Sequence, residues 1–204
     1  MTIQDVIDLA KNGELSNLSI KDNLESVLGY MNLGMIELYK RFPIDTKEHL
    51  IMLQDGVDIY TMPNDFMWLV AAYDEVPETS SVATMPIPVN EEDNPMGINT
   101  INWNQVQVPI TVTGSYISLI YVASPKVYHS EDVAELLPLP VQMVEPLLHY
   151  IGYRAHGAMN GEVQAESNTH YQRFELSCRR IEDMGMYTSD DLSMKNRLDQ
   201  KGFV

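Results

Sequence analysis

Between Leu24 and Tyr39 the apolar residues Leu24, Val27, Leu28, Met31, Met35, Leu38 and Tyr39 recur at three- and four-residue steps. That spacing places side chains on one face of an α-helix. Phe42-Pro43 follows at once, and a proline ring drives the residue before it out of helical geometry. The pattern predicts a helix from about Asp22 to Arg41, capped by Ser19 or Asp22. Its apolar face has to be covered by other elements, so the chain must fold as packed helices at least here.

A shorter helix precedes it. Ile3, Val6, Ile7 and Ala10 share a face, Thr2 and Asp5 stand as a weak form of capping box, and Asn12-Gly13 supplies the stop. Past Pro43 the period changes. His49–Leu53 and Val57–Met62 flank Gln54-Asp55-Gly56, and Asp-Gly between two such runs predicts a β-hairpin. Met67–Ala72 reads as a further strand. Residues 74–100, with Pro77, Pro86, Pro88 and Pro95, read as a long irregular connection with short strand pieces around Thr84–Val89. Gln105–Val108 and Ser115–Val122 read as a second hairpin. Only the start of Ser115–Val122 alternates with polar residues, which predicts a strand covered on both faces.

Ser124–Glu135 reads as a loop. Leu136-Leu137-Pro138-Leu139-Pro140 leads into a helix with Pro140 in its first turn, and Met143, Val144, Leu147, Leu148, Ile151 and Ala155 form its buried face. Gly152, Ala155, Gly157 and Ala158 are small enough for another helix to approach closely. Asn160-Gly161 ends this helix. The last one, about Glu162 to Met184, carries Tyr171, Phe174, Cys178 and Ile181 on one stripe and stops at Gly185. Residues 186–204 are polar with spaced apolar residues.

Helices, then strands, then helices argue for an α+β fold rather than an alternating α/β one. The expected organisation is a helical bundle from residues 1–43 and 136–185, a central antiparallel β-rich part over 44–135 with its long loop, and an extended, flexible C-terminal arm over 186–204. At 204 residues the chain buries roughly 70% of its unfolded surface, enough for a core without disulfides or a structural metal. The single cysteine, Cys178, excludes an internal disulfide and fits a non-secreted setting. The acidic, polar start Met1–Asp5 is not a signal peptide, and no apolar stretch is long enough to cross a bilayer, so no membrane partner is expected.

Charge excludes more. With 29 acidic against 13 basic residues the formal net charge is −16, and no basic run exceeds a pair such as Arg179-Arg180. Gripping DNA through its phosphates requires clustered Lys and Arg, so specific DNA binding is not expected. An acidic surface repels DNA, which suits a channel through which DNA slides; acidity equally serves solubility alone.

Chemistry is sparse. Neither a GxxxxGK nor a GxGxxG loop is present, and no GxSxG elbow presents a serine. Glu145 and His149 share a helix face, but His156 lies two turns on, about 10 Å along the axis. With zinc–ligand bonds of about 2 Å, one ion cannot take both histidines within one chain. A small metal-dependent hydrolase using Glu145, His149 and His156 is therefore the minor reading, and packing or hydrogen bonding the major one. Cys178 sits on an apolar stripe, as a buried inert thiol does. The pairs Asp132/Glu135 and Asp190-Asp191 are what chance gives a very acidic chain. No catalytic residue, cofactor or metal is expected. Met186, Tyr187, Leu192, Met194, Leu198 and Phe203 give the polar tail spaced apolar anchors; such a tail either folds on a partner or stays a disordered end.

Several phrases, in order, resemble the head–tail connector (adaptor) proteins of tailed bacteriophages. They are Leu38-Tyr39-Lys40-Arg41-Phe42-Pro43, then Val57–Phe66, then Glu91-Glu92-Asp93-Asn94-Pro95. Tyr121-Val122-Ala123-Ser124-Pro125 and Leu137-Pro138-Leu139-Pro140 before the Leu147–Ala158 helix complete the set. The likeness spans about residues 20–180. It implies a structural, non-enzymatic virion protein at the head–tail interface, made in the host bacterial cytoplasm. It further implies a ring homo-oligomer, usually a dodecamer, beneath the portal protein and joined to tail or nozzle proteins, with genomic DNA passing through without specific binding. The arm residues Met186, Tyr187, Leu192, Met194, Leu198 and Phe203 would then dock on the portal. Another tail-completion or assembly factor is the alternative of the same class.

Overall fold

A computed structural model describes residues 1–75, 85–91, 94–109, 116–158 and 163–185. Among these the fold is α+β, with four α-helices and two antiparallel sheets. The helices are α1 (Ile3–Asn12), α2 (Leu24–Arg41), α3 (Val144–Gly157) and α4 (Val163–Asp183). The strands are β1 (Thr46–Met52), β2 (Ile59–Thr61), β3 (Phe66–Glu75), β4 (Met85–Ile87), β5 (Asn99–Asn102), β6 (Gln105–Gln107) and β7 (Tyr116–Ala123). Two compact units result: a helical one from Met1–Phe42 with the described chain from Pro125 onward, and a β unit over Pro43–Ser124. Residues 125–135, expected with the β-rich part, therefore belong with the helices. The arm and the expected Asn160-Gly161 helix stop lie outside the described residues.

In the helical unit, α1 begins with a full capping box. Thr2 Oγ1 accepts the Asp5 amide at 3.2 Å and the Asp5 carboxylate accepts the Thr2 amide at 2.7 Å. Two further N-terminal amides, of Ile3 and Gln4, donate to the Glu135 and Val133 carbonyls at 3.0 and 2.9 Å. This is what draws 133–137 onto α1, since a helix start leaves such donors without intrahelical partners. Helix α2 starts later than expected because Asn23, not Ser19 or Asp22, caps it, accepting the Ser26 amide; Ser19–Asp22 is a separate 3-10 turn. Its stripe is buried as spaced, from Val27 to Tyr39.

Helix α3 packs against α1, α2 and α4. Pro140 precedes a short 3-10 turn, Val141–Met143, rather than entering α3 itself. Leu147 is fully buried, whereas Leu148 is only half-buried. A side-chain Cβ at Gly34 of α2 would stand 2.6 Å from Leu147 Cδ1, so glycine there sets the α2–α3 approach. On α4, Phe174, Cys178 and Ile181 are inside as expected, but Tyr171 is exposed. Gly185 ends the chain's last described turn at φ +63°, a backbone state glycine adopts without penalty.

The β unit corrects both expected hairpins. The turn at Gln54–Val57 forms, with Gly56 at φ +77°, yet the strands it joins enter different sheets. One sheet has the order β1-β7-β3-β4 and the other β2-β6-β5. Likewise β6 does not pair with β7: it forms a hairpin with β5, from a stretch expected to be irregular. A turn signal fixes local geometry, whereas strand partners are chosen by burial over long separations. Strand β7 lies between β1 and β3, so both its edges are paired, and its side chains are buried on both faces as expected. Its buried Ser118 is satisfied by the Glu48 carboxylate from β1. Ile51, Phe66, Leu69, Ile98, Val106 and Leu119 make up much of an otherwise apolar core.

Candidate functional site

Among the described residues, one carboxylate and three histidines converge in the helical unit. Glu14 follows the Gly13 cap of α1, His149 and His156 project from α3, and His170 from α4. Glu14 Oε1 is 3.1 Å from His149 Nδ1, and Glu14 Oε2 is 2.9 Å from His170 Nδ1. The two rings facing its oxygens hold the Glu14 carboxyl far below the usual carboxylate range, His149 contributing most, against the opposing effect of desolvation. Both distances suit hydrogen bonds, yet the oxygens lie off the N–H directions. Neither buried Nδ1 has an aligned partner among the described residues.

His156 takes a different place. Its Nε2 meets the Glu14 backbone carbonyl at 3.1 Å, its Nδ1 faces Glu166 at 3.1 Å, and its ring stacks on His170 with centroids 4.7 Å apart. The trio Glu145, His149 and His156 therefore does not converge on one point. Glu145 does approach the outer nitrogen of His149, at 3.7 Å. Glu14 and His170 carry no local signal because Glu14 lies about 135 residues before His149 and His170 about 21 after it, on other elements in no fixed helical register; only Gly152 hints at them. A Cβ there would stand 2.9 Å from His170 Nδ1 and 3.2 Å from Glu14 Cβ.

The other candidates are quiet. Cys178 is fully buried, and burial pushes its thiol up to about 11, so it is no nucleophile near neutrality. Asp132 and Glu135 are both bridged by Lys126, at 3.0 and 2.9 Å. Asp190, Asp191 and all six anchors from Met186 to Phe203 lie outside the described residues. At the C-terminal end of α2, Arg41 pairs with Glu175 at 2.7 Å and lies over the Phe174 ring at 5.7 Å, tying α2 to α4. No described helix is long and apolar enough to cross a membrane.

Large apolar side chains stand in solvent on both units. Trp103, in the β5–β6 turn, is 71% exposed, and Leu136 and Val141, on the approach to α3, are 72% and 70% exposed. Exposed apolar groups of this size commonly mark contact surfaces when they cluster.

Residues 1–198 match the family model described as SU10 adaptor protein. The chain belongs to this phage head–tail adaptor family. Its role is that of a structural head–tail adaptor, a component of the phage particle that associates with portal and tail proteins. The adaptor family match reaches past the described helices into the tail, as far as residue 198. No curated protein matches the chain.

Proposed function

We propose that the adaptor acts as a ring homo-oligomer, a dodecamer by family resemblance, seated below the portal and joining capsid to tail. The family match over nearly the whole chain carries this reading. In the ring, exposed apolar residues such as Trp103, Leu136 and Val141 meet neighbouring copies, portal or tail proteins. The acidic chain, at −16, lines a channel that gives DNA phosphates no cationic sticking points. The adaptor has no catalytic step to perform. Met186, Tyr187, Leu192, Met194, Leu198 and Phe203 form the arm that docks on the portal, their spacing suiting a segment that orders on its partner.

Truncation after Gly185 tests the arm. The shortened chain is expected to keep its circular dichroism spectrum and melting transition while losing most of its binding to purified portal. Full portal binding by the truncated, folded chain would remove the docking role from these six residues.

A further inference from the structure

We propose that Glu14, His149 and His170 form a binding site for one divalent transition-metal ion, with zinc the best-suited occupant. This inference stands independently of the adaptor reading. One ligand atom from each residue can be chosen so that all three lie within 4.8 Å of one another, and the two Glu14 oxygens stand 3.1 Å from His149 Nδ1 and 2.9 Å from His170 Nδ1 respectively. Around a tetrahedral ion with bonds of about 2.0–2.1 Å, neighbouring ligand atoms stand roughly 3.3 Å apart. The two nitrogen–oxygen contacts already lie near that value, and the remaining separations, within 4.8 Å, close as the side chains turn onto one ion.

Three further observations support a bound ion, the first of them against a closed hydrogen-bond network. The Nδ1 atoms of His149 and His170 are buried without an aligned partner among the described residues, although a carboxylate stands beside each. Buried polar atoms are normally satisfied, and an ion between the three ligands would satisfy both nitrogens at once. Gly152 leaves the space: any side chain there would press on His170 Nδ1 and on Glu14. The outer nitrogen of His149 lies 3.7 Å from Glu145, beyond a hydrogen bond but within reach of one small side-chain rotation, by which the carboxylate would orient a metal-bound imidazole from behind.

The donor set selects the metal class. Two imidazoles and one carboxylate suit zinc and its first-row neighbours, whereas an all-oxygen site would suit calcium or magnesium. The ligands come from the turn after α1, from α3 and from α4, so a bound ion pins three helical segments of the same unit together. The fourth position is left for water.

The test uses the full-length chain, stripped with a chelator and dialysed, then titrated with zinc by calorimetry and with cobalt(II) by visible absorption. The expected result is one zinc per chain, a higher melting temperature with zinc, and the intense cobalt bands of a four-coordinate site. Glu14→Gln and His170→Ala should weaken zinc binding at least tenfold, and Glu145→Gln by up to about tenfold. His129→Ala, at an exposed histidine, should leave it unchanged. Absence of stoichiometric zinc binding to the wild-type chain, or binding that survives both Glu14→Gln and His170→Ala, would overturn the site. Because the wild-type cobalt spectrum is read without any substitution, a variant that fails to fold does not obscure the answer.

Discussion

In the helical unit, His156, Ser167, His170 and Ser177 are all buried, and α3 and α4 are joined by the Ser167 hydroxyl on the Tyr153 carbonyl and by the stacked His156 and His170 rings. In the β unit, Ser118 is the one buried polar residue among those described, and the rest of the core is apolar. The helices are thus located by directional contacts and by glycine gaps at Gly34, Gly152 and Gly157. The sheets are located by burial and by pairings such as β1 with β7, some seventy residues apart. A core of the first kind is sensitive to single atoms, because unpaired buried polar groups and overlapping Cβ atoms are costly. Both kinds respond to lost volume, and the second responds to little else.

The largest effect expected is from Leu147→Ala, which empties a fully buried position between α2 and α3 and should cost about 3 kcal/mol in urea unfolding. A loss below about 1 kcal/mol would show that α3 is not the centre of the helical unit. Glu14→Gln comes next, at about 1.5 kcal/mol near neutral pH in chelated buffer. The Glu14 carboxyl titrates lower in the folded chain than in the unfolded one. The stability it contributes is therefore complete above the ordinary glutamate range, about pH 4.3, and is lost as pH falls through that range toward the folded value. The variant's stability should accordingly fall less steeply on acidification than the wild type's.

Two glycines on α2 sharpen the point about atomic fit. Gly34→Ala places a Cβ against Leu147 and Tyr150 and should destabilise by about 1 kcal/mol, overpacking outweighing helix propensity. Gly29→Ala meets nothing within 4 Å and should stabilise by about 0.5–1 kcal/mol. Equal signs for the two would contradict the packing described. In the β unit, Tyr121→Phe removes a hydroxyl that donates to Asp65 at 3.0 Å, while Lys47 still holds Asp65 at 2.6 Å; about 1 kcal/mol or less should be lost. Smallest of all, Trp103→Ala should change thermal stability by less than about 0.5 kcal/mol while impairing incorporation into particles, a separation that marks a contact residue.

The same contrast governs what could be read from the sequence. The helices were legible because their information is local: Thr2 with Asp5, Phe42-Pro43, the stripe from Val27 to Tyr39, and Gly185 each act within a turn or two. The strands were legible as segments, β3 and β7 above all, but not as partners. The turn at Gly56 carries no record that β1 pairs with β7 and β2 with β6. Strand β5 was missed because Asn99–Asn102 is polar and sits among proline- and acid-rich residues; it is held by β6, not by its own propensity. The Glu14–His149–His170 cluster was unreadable for a related reason. Its members sit on three elements, and helical spacing connected His149 only to Glu145 and His156, on the same helix. Gly152 marks a point of close helix approach in the sequence, but only the fold shows that the space admits His170 and Glu14.

Cryo-electron microscopy of mature particles at the vertex where capsid meets tail tests the central claim most directly. The account predicts a closed ring of this chain between portal and tail, with acidic side chains on the channel wall and residues from the arm seated on the portal. Mature particles with no copy of the chain at that vertex would contradict it, and would move the protein from a part of the particle to a factor that acts only during assembly.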